Sequence, residues 1–337
     1  MNPRPVPTVA APVILAALVL GAFSSAQASL IVYEGFDYGA SSSPLGGLGN
    51  TTEIGLQGTW TNNGTAGTTS EYQSSGLTFS DLSVRGGLAQ MNGVIAGAVD
   101  RTAAAFRQIN VPAQTGTLWG SYLFRKNSDL ATRSVATLLQ GDAASVTDNT
   151  AYFSLANNEF NQSVGGVRIS ASVGGNAALA TGPDPLLSTT YLFVFKLENI
   201  GAASGSTQTA TAWMLSEAQY DNFKVGGLDE AEINGAATGS LATNVTERVT
   251  LTTAAGLASP GTFDTTDFLR FYNFSGNELI TQFDEIKFSN GNLNEAVVGI
   301  PEPSALLAVV SGMGTLLGIR RLRPRFASEF SEAGEAM

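Results

Sequence analysis

Val167-Arg168-Ile169-Ser170-Ala171-Ser172-Val173 carries the clearest secondary-structure signal in the chain. Val167, Ile169, Ala171 and Val173 alternate with Arg168, Ser170 and Ser172, a period of two that sets one strand face in a core and the other in water. Tyr191-Leu192-Phe193-Val194-Phe195-Lys196-Leu197 is apolar on nearly both faces, as a central strand of a packed sandwich is. Further strands are predicted over 30–33, 118–124, 135–139, 151–155, 209–215, 245–251 and 283–288. Gly- and Asn-rich turns punctuate them, among them Gly46-Gly47, Asn62-Asn63-Gly64, Gly165-Gly166 and Gly174-Gly175-Asn176. Ser216-Glu217-Ala218-Gln219, before Tyr220 and Phe223, is the one short helix start. Many short strands without a sustained helical period predict an all-β sandwich or barrel.

Composition narrows the chemistry. Of 337 residues 43% are hydrophobic and 13% charged, enough apolar material for a packed core. There is no histidine and no cysteine, which excludes Ser-His-Asp and Cys-His nucleophile systems, His- or Cys-ligated zinc, iron–sulfur clusters and disulfides. Seventeen Lys+Arg against 28 Asp+Glu give a net charge of −11, which opposes nucleic-acid binding.

The two ends are expected to be addresses. Residues 1–28 have the features of a secretory signal: Arg4, an apolar run over 13–23, and Ala26-Gln27-Ala28 as a small-x-small cleavage site for signal peptidase. Eleven apolar residues rise only ~17 Å as a helix, short of the ~30 Å a membrane anchor must cross. At the other end Pro301-Glu302-Pro303 precedes sixteen uncharged residues, 304–319, and then Arg320, Arg321, Arg323 and Arg325. Sixteen residues make a helix of ~24 Å, a marginal transmembrane span that snorkelling arginines complete. The positive-inside rule keeps those arginines cytoplasmic and leaves Pro-Glu-Pro on the outer face. An ordinary tail anchor or a buried terminal helix is the alternative.

This three-part order resembles the PEP-CTERM sorting signal of Gram-negative bacteria. The resemblance implies an exosortase that recognises Pro301, Glu302 and Pro303 and transfers or releases the exported protein, in association with exopolysaccharide and biofilm. It implies an inner-membrane anchor before processing and a cell-envelope or extracellular destination afterwards. Family members commonly stop soon after the arginines, whereas residues 326–337 here form an acidic tail with Glu329, Glu332 and Glu335.

The intervening body, residues 29–300, reads as one domain. Without Arg4 and the four terminal arginines it keeps 12 basic residues. Without Glu302 and the tail glutamates it keeps 24 acidic ones, a balance of −12. An acidic body is poorly suited to anionic membrane surfaces, and binding an acidic polysaccharide would need a bridging cation. Tyr33-Glu34-Gly35-Phe36-Asp37-Tyr38, then Gly58-Thr59-Trp60, and late Phe283-Asp284-Glu285-Ile286-Lys287-Phe288 resemble the edges of concanavalin A-like (LamG/jelly-roll) domains. That resemblance implies a lectin-type fold whose first and last strands pair, with a short leash over 289–300 to the membrane. It implies no particular ligand.

Carboxylates are the main candidates for catalysis, and none forms a convincing pair. Jelly-roll glycosidases place acids on one strand face, ~5–5.5 Å apart for retention. Asp284 and Glu285 are adjacent and point to opposite faces of a regular strand. Glu230 and Glu232 are expected in a turn, while Asp264/Asp267 and Glu34/Asp37 are spaced by three without supporting context. Solvated surface acids are the ordinary reading. No catalytic residue is therefore assigned, and no metal ligand or cofactor. Calcium is the inorganic partner that Asp142, Asp148 and Asn149, in an expected loop, suit best.

For sugar contact, Trp60 is the tryptophan most favourably placed for exposure, though packing near an N-terminal strand is the commoner role for such a residue. Trp119 and Trp213 sit inside apolar strands and read as core. The five Asn-x-Ser/Thr sequons (Asn50, Asn63, Asn161, Asn244, Asn273) reflect an Asn/Thr-rich composition, and Gly86-Gly87 lacks the strand-to-helix context of a phosphate loop. The expected function is a non-catalytic, exported, exosortase-sorted envelope or matrix protein. A carbohydrate-binding lectin-like module is the alternative, and a jelly-roll polysaccharide hydrolase or lyase stands behind it.

Overall fold

The computed structural model describes residues 30–49, 53–62, 68–92, 101–127, 133–140, 151–157, 167–173, 176–181, 186–201, 209–234, 247–252, 263–265, 267–275, 280–291 and 293–298. The chain divides into a unit ending at Gly299 and another beginning at Ile300. The second unit, with Pro301 to Pro303, residues 304–319 and the four arginines, lies outside the described residues, as do residues 1–28 with Ala26 and Ala28. Among the described residues no helix is long and apolar enough to cross a membrane.

Among the described residues sixteen strands form two antiparallel sheets. In chain order they are β1 (Leu30–Glu34), β2 (Ser43–Pro44), β3 (Leu56–Asn62), β4 (Thr69–Gln73), β5 (Leu88–Asn92), β6 (Arg101–Ile109), β7 (Gly116–Lys126) and β8 (Arg133–Gln140), followed by β9 (Ala151–Asn157), β10 (Val167–Val173), β11 (Asn176–Thr181), β12 (Thr190–Ile200), β13 (Thr209–Leu215), β14 (Glu247–Thr252), β15 (Asp267–Ser275) and β16 (Ile280–Asn290). One sheet has nine strands in the order β14-β13-β12-β7-β16-β5-β4-β2, with β1 also on β16, and the other has seven, β11-β10-β9-β8-β15-β6-β3. Successive strands β5, β6, β7 and β8 alternate between sheets, with β16 between β5 and β7 and β15 between β6 and β8. The chain is an all-β sandwich of jelly-roll architecture. Its first and last strands pair in antiparallel register, Tyr33 opposite Lys287 and Glu34 opposite Ile286.

Alternation explains where the core lies. In β12, Tyr191, Phe193, Phe195 and Leu197 enter the inter-sheet core beside Phe271, Phe283 and Phe288, while Leu192 and Val194 enter a second apolar layer on the outer side of the nine-stranded sheet. Both faces of this central strand are thus buried, as its composition requires. Phe195 lies opposite Gly120, where any Cβ would stand 2.0 Å from its Cζ, so only glycine admits the ring.

Among the described residues three helices and a strap cover that outer face, the last helix being α3 (Leu293–Val298), which buries Leu293, Ala296 and Val297 there. Helix α1 (Glu217–Gly226) starts at Ser216, whose backbone N–H donates to Gln219 Oε1 at 2.8 Å, and ends at Gly227 with φ +109°. It buries Tyr220 and Phe223. Glu230 and Glu232, expected in a turn, lie in one helical turn, α2 (Glu230–Ile233), because Asp229 accepts from the Glu232 N–H at 2.8 Å and caps it. The strap, residues 74–87 between β4 and β5, contributes Leu77, Phe79 and Leu82 to the same layer. Trp119 and Trp213 stack there at 5.6 Å, both buried.

Candidate functional site

Three of the acids weighed for catalysis are inside the protein. Glu34, Asp284 and Glu285 are 0%, 0% and 1% exposed, which corrects the expectation of solvated surface acids. They build two polar clusters on opposite faces of the nine-stranded sheet.

The first cluster lies between the sheets. Val32 and Glu34 share the inner face of β1, and Arg107 shares the inner parity of β6 with Ala103, Ala105 and Ile109. Glu34 Oε2 accepts from Arg107 Nη1 at 2.8 Å and from the Tyr38 hydroxyl at 2.7 Å, and Oε1 accepts from the Phe36 N–H at 2.8 Å. Arg107 also forms an ion pair with the buried Glu53. Trp60 Nε1 donates to the Tyr38 hydroxyl at 2.9 Å and to Glu34 Oε2 at 3.3 Å. One guanidinium thus serves two carboxylates and joins one sheet to the other. Burial, reinforced by the Glu53 charge, pushes the Glu34 carboxyl up to about 7, against the opposing pull of Tyr38, Arg107 and the Phe36 N–H. Burial and the Glu34 charge likewise raise the Tyr38 phenol far above its ordinary value.

Trp60 is therefore not an exposed sugar platform: it is 1% exposed and lies between Phe36 (5.8 Å) and Phe271 (5.3 Å), stacked on both. Its polar neighbours Thr59 and Thr61 are the exposed half of a strand alternation that begins at Leu56. The bulge after Gln57, with Gly58 at φ +66°, adds two residues and so preserves that phase.

The second cluster is on the outer side. A bulge interrupts the β16–β7 register between Asp284 and Lys287, with Glu285 in the left-handed region at φ +50°. The expectation that adjacent acids diverge assumed a regular strand; at the bulge both carboxylates serve the strap. Asp284 Oδ2 accepts from the Leu77 N–H at 2.8 Å, and Glu285 Oε1 from the Arg85 N–H at 2.6 Å. Tyr33 donates its hydroxyl to Glu285 at 3.1 Å, and Lys287 Nζ lies 3.3 Å from Glu285 Oε2. Burial, then the Glu285 charge, raises the Asp284 carboxyl well above the usual range.

Glu230 is paired with Lys196 at 2.8 Å, and two residues apart on a helical turn it does not share a face with Glu232. Asp264 is half-buried before β15, which Asp267 opens. Asp142, Asp148 and Asn149 lie between β8 and β9, outside the described residues. Among the described residues no group of three or more acidic side chains is placed to hold a metal ion. Sequence reasoning missed Arg107, Glu53 and Tyr38. A buried arginine on the inner parity of an alanine-rich strand was the available signal.

No protein-family model matches the chain, and no curated protein matches it. Its fold is similar to solved structures that include the T. cruzi calreticulin globular domain (11% identity, 77% of this chain and 95% of that chain, TM-score 0.41). Others are the Emp47p carbohydrate recognition domain (10% identity, 80% and 100%, TM-score 0.38) and the metal-free VIP36 exoplasmic/lumenal domain (9% identity, 76% and 94%, TM-score 0.38). The likeness is one of fold.

Proposed function

We propose that the chain is an exported, non-catalytic β-sandwich that an exosortase sorts through its C-terminal segment for display at the cell envelope or in an exopolysaccharide matrix. The observation that carries the non-catalytic reading is the fate of the acids. With histidine and cysteine absent, carboxylates are the principal source of acid–base chemistry, and Glu34, Asp284 and Glu285 are all committed to buried bonds between structural elements. The sorting reading rests on Pro301-Glu302-Pro303, the uncharged run and the arginines. Changing Glu302 to Ala is expected to leave export intact and to trap the uncut form in the inner membrane, as seen by fractionation and immunoblotting. Normal maturation of that variant would reject the sorting reading, and turnover in a reducing-sugar release assay would reject the non-catalytic one.

A carbohydrate-binding role is the second reading, favoured by one observation. Phe106 and Phe268, half-buried and edge-to-face at 5.9 Å, lie on the outer face of the seven-stranded sheet, opposite in parity to core residues Ala105 and Leu269. Aromatic rings on a sheet face suit the apolar faces of pyranose rings. On this reading a glycan array shows binding that Phe268→Ala removes, and no glycan bound with or without calcium would exclude it.

A further inference from the structure

On β7 and β5 the outer apolar layer stops at Leu123 and Leu88, and on β16 the strap contact at Asp284 marks the same limit. One step further along these strands the outward positions are polar, and register sets five of them in one row. Thr190 is opposite Arg125, Arg125 opposite Gln282, Gln282 opposite Gln90, and Gln90 opposite Glu71. The row crosses β12, β7, β16, β5 and β4, ~19 Å from the first strand to the last. Its bonds run one way. Arg125 Nε donates to Gln282 Oε1 at 2.7 Å, Asn127 Nδ2 donates to the same oxygen at 2.9 Å, and Gln282 Nε2 donates to Gln90 Oε1 at 2.7 Å. Gln282 is thus held from three sides and is 6% exposed, whereas Arg125, Gln90 and Asn127 are half-buried. Among the described residues this leaves the Arg125 Nη atoms, Gln90 Nε2 and Asn127 Oδ1 without a bond: a cationic fork, a donor and an acceptor, fixed by their own ladder. Arg125 makes no ion pair among the described residues, and burial depresses its guanidinium with no carboxylate beside it to compensate. Glu71 stands three strands away, ~14 Å, and accepts from Thr69 and Gln73.

We propose that this row is a binding site for an acidic glycan: the Arg125 fork takes a carboxylate, and the Gln90 and Asn127 amides take hydroxyls of an extended chain lying across the strands. A planar guanidinium held at Nε still presents both Nη atoms, which match the two oxygens of a carboxylate. A sugar hydroxyl both donates and accepts, and so suits a donor and an acceptor on neighbouring amides. All five strands are interior to the sheet, so the row offers no main-chain edge for a peptide to extend. The net charge of −11 repels polyanions in general, and recognition of one therefore depends on a cation fixed in place. Arg125 takes the part that the charge balance assigned to a bridging metal. The site lies on the sheet opposite to Phe106 and Phe268, and it rests neither on that reading nor on the sorting of the C-terminus.

The test is isothermal titration of the purified full-length chain, in EDTA, with polygalacturonate, polymannuronate and hyaluronate, and with dextran as a neutral chain. At least one of the three acidic glycans is expected to bind, and dextran is not. Arg125→Met weakens that binding about tenfold or more, the weight of a hydrogen bond to a charged group. Arg125→Lys, which keeps the charge and loses the fork, falls between the two. Gln90→Glu sets a carboxylate into the row and abolishes binding, and Phe268→Ala leaves it unchanged. Where Arg125→Met does not fold, Gln90→Glu decides, because its half-buried position admits a charge without opening the core. Four results overturn the proposal: no binding of any of the three, binding only when calcium replaces EDTA, equal binding of poly-glutamate, or wild-type affinity in folded Gln90→Glu. Loss of binding in Phe268→Ala would place the contact on the other sheet and overturn it as well.

Discussion

Replacing Arg107 by leucine is expected to lower the melting temperature of the β-sandwich body by about 6–20 °C. The reasoning is electrostatic. Arg107 is the cation between Glu34 and Glu53, both buried, and no solvent reaches the carboxylate it leaves behind. Removing one partner of a buried ion pair typically costs about 3–5 kcal/mol, because the remaining charge is neither hydrated nor neutralised. In a domain of this size each kcal/mol moves the midpoint by about 2–4 °C. The control is Lys224→Ala, which breaks the exposed pair with Asp81 (35% and 66% exposed) and should leave the midpoint unchanged. Differential scanning calorimetry at neutral pH decides the matter. An Arg107→Leu midpoint as close to wild type as that of Lys224→Ala would mean that the cross-sheet cluster contributes nothing. Replacing Glu34, Glu53 and Arg107 together with apolar residues of similar volume should recover most of the loss, since apolar packing often substitutes for a buried ion network.

The stability of the body is also expected to fall as pH rises from about 4.5 to 7. Glu34 is faced by Tyr38 from the segment after β1, Glu53 from the segment before β3, Trp60 from β3 and Arg107 from β6. Burial and Glu53 raise its carboxyl from 4.5 to about 7 in the folded chain. Between those values the native state holds a proton that the unfolded chain has released. Native protein therefore binds more protons, and by linkage unfolding becomes easier with every step up in pH. The contribution is complete below about 4.5 and gone above about 7, and amounts to on the order of 3 kcal/mol. Asp284, also raised by burial, acts in the same direction. Urea unfolding at pH 5 and pH 8 should show a lower midpoint at pH 8, and Glu34→Gln should reduce the difference. A Glu34→Gln profile superimposable on that of wild type would exclude Glu34 as the titrating group.

Strand recognition succeeded where the information was local. The alternation over 167–173 and the apolar run over 209–215 coincide with β10 and β13 to the residue, and the Ser216 start coincides with α1. It failed on β6, where Ala103, Ala104 and Ala105 carry little strand preference and Arg107 interrupts the apolar parity. It failed again at Trp60, because Asn62 and Asn63 read as a turn while the two threonines beside the indole are simply the wet face of β3. Asp284 and Glu285 were judged on regular alternation, and nothing local to two adjacent acids announces a left-handed residue at the second.

Amino-acid order alone determined the fold class, the acidic balance and the absence of thiol and imidazole chemistry. These follow from composition and short-range periodicity, which need no knowledge of what lies opposite. Tertiary structure alone decided the fate of the carboxylates and of Trp60. Glu34 and Arg107 are 73 positions apart, and Tyr33 and Glu285 are 252 apart. Only the closure of β1 onto β16, and of one sheet onto the other, takes those groups out of water, and desolvation beside a fixed partner is what turns an ordinary acid into a buried bolt.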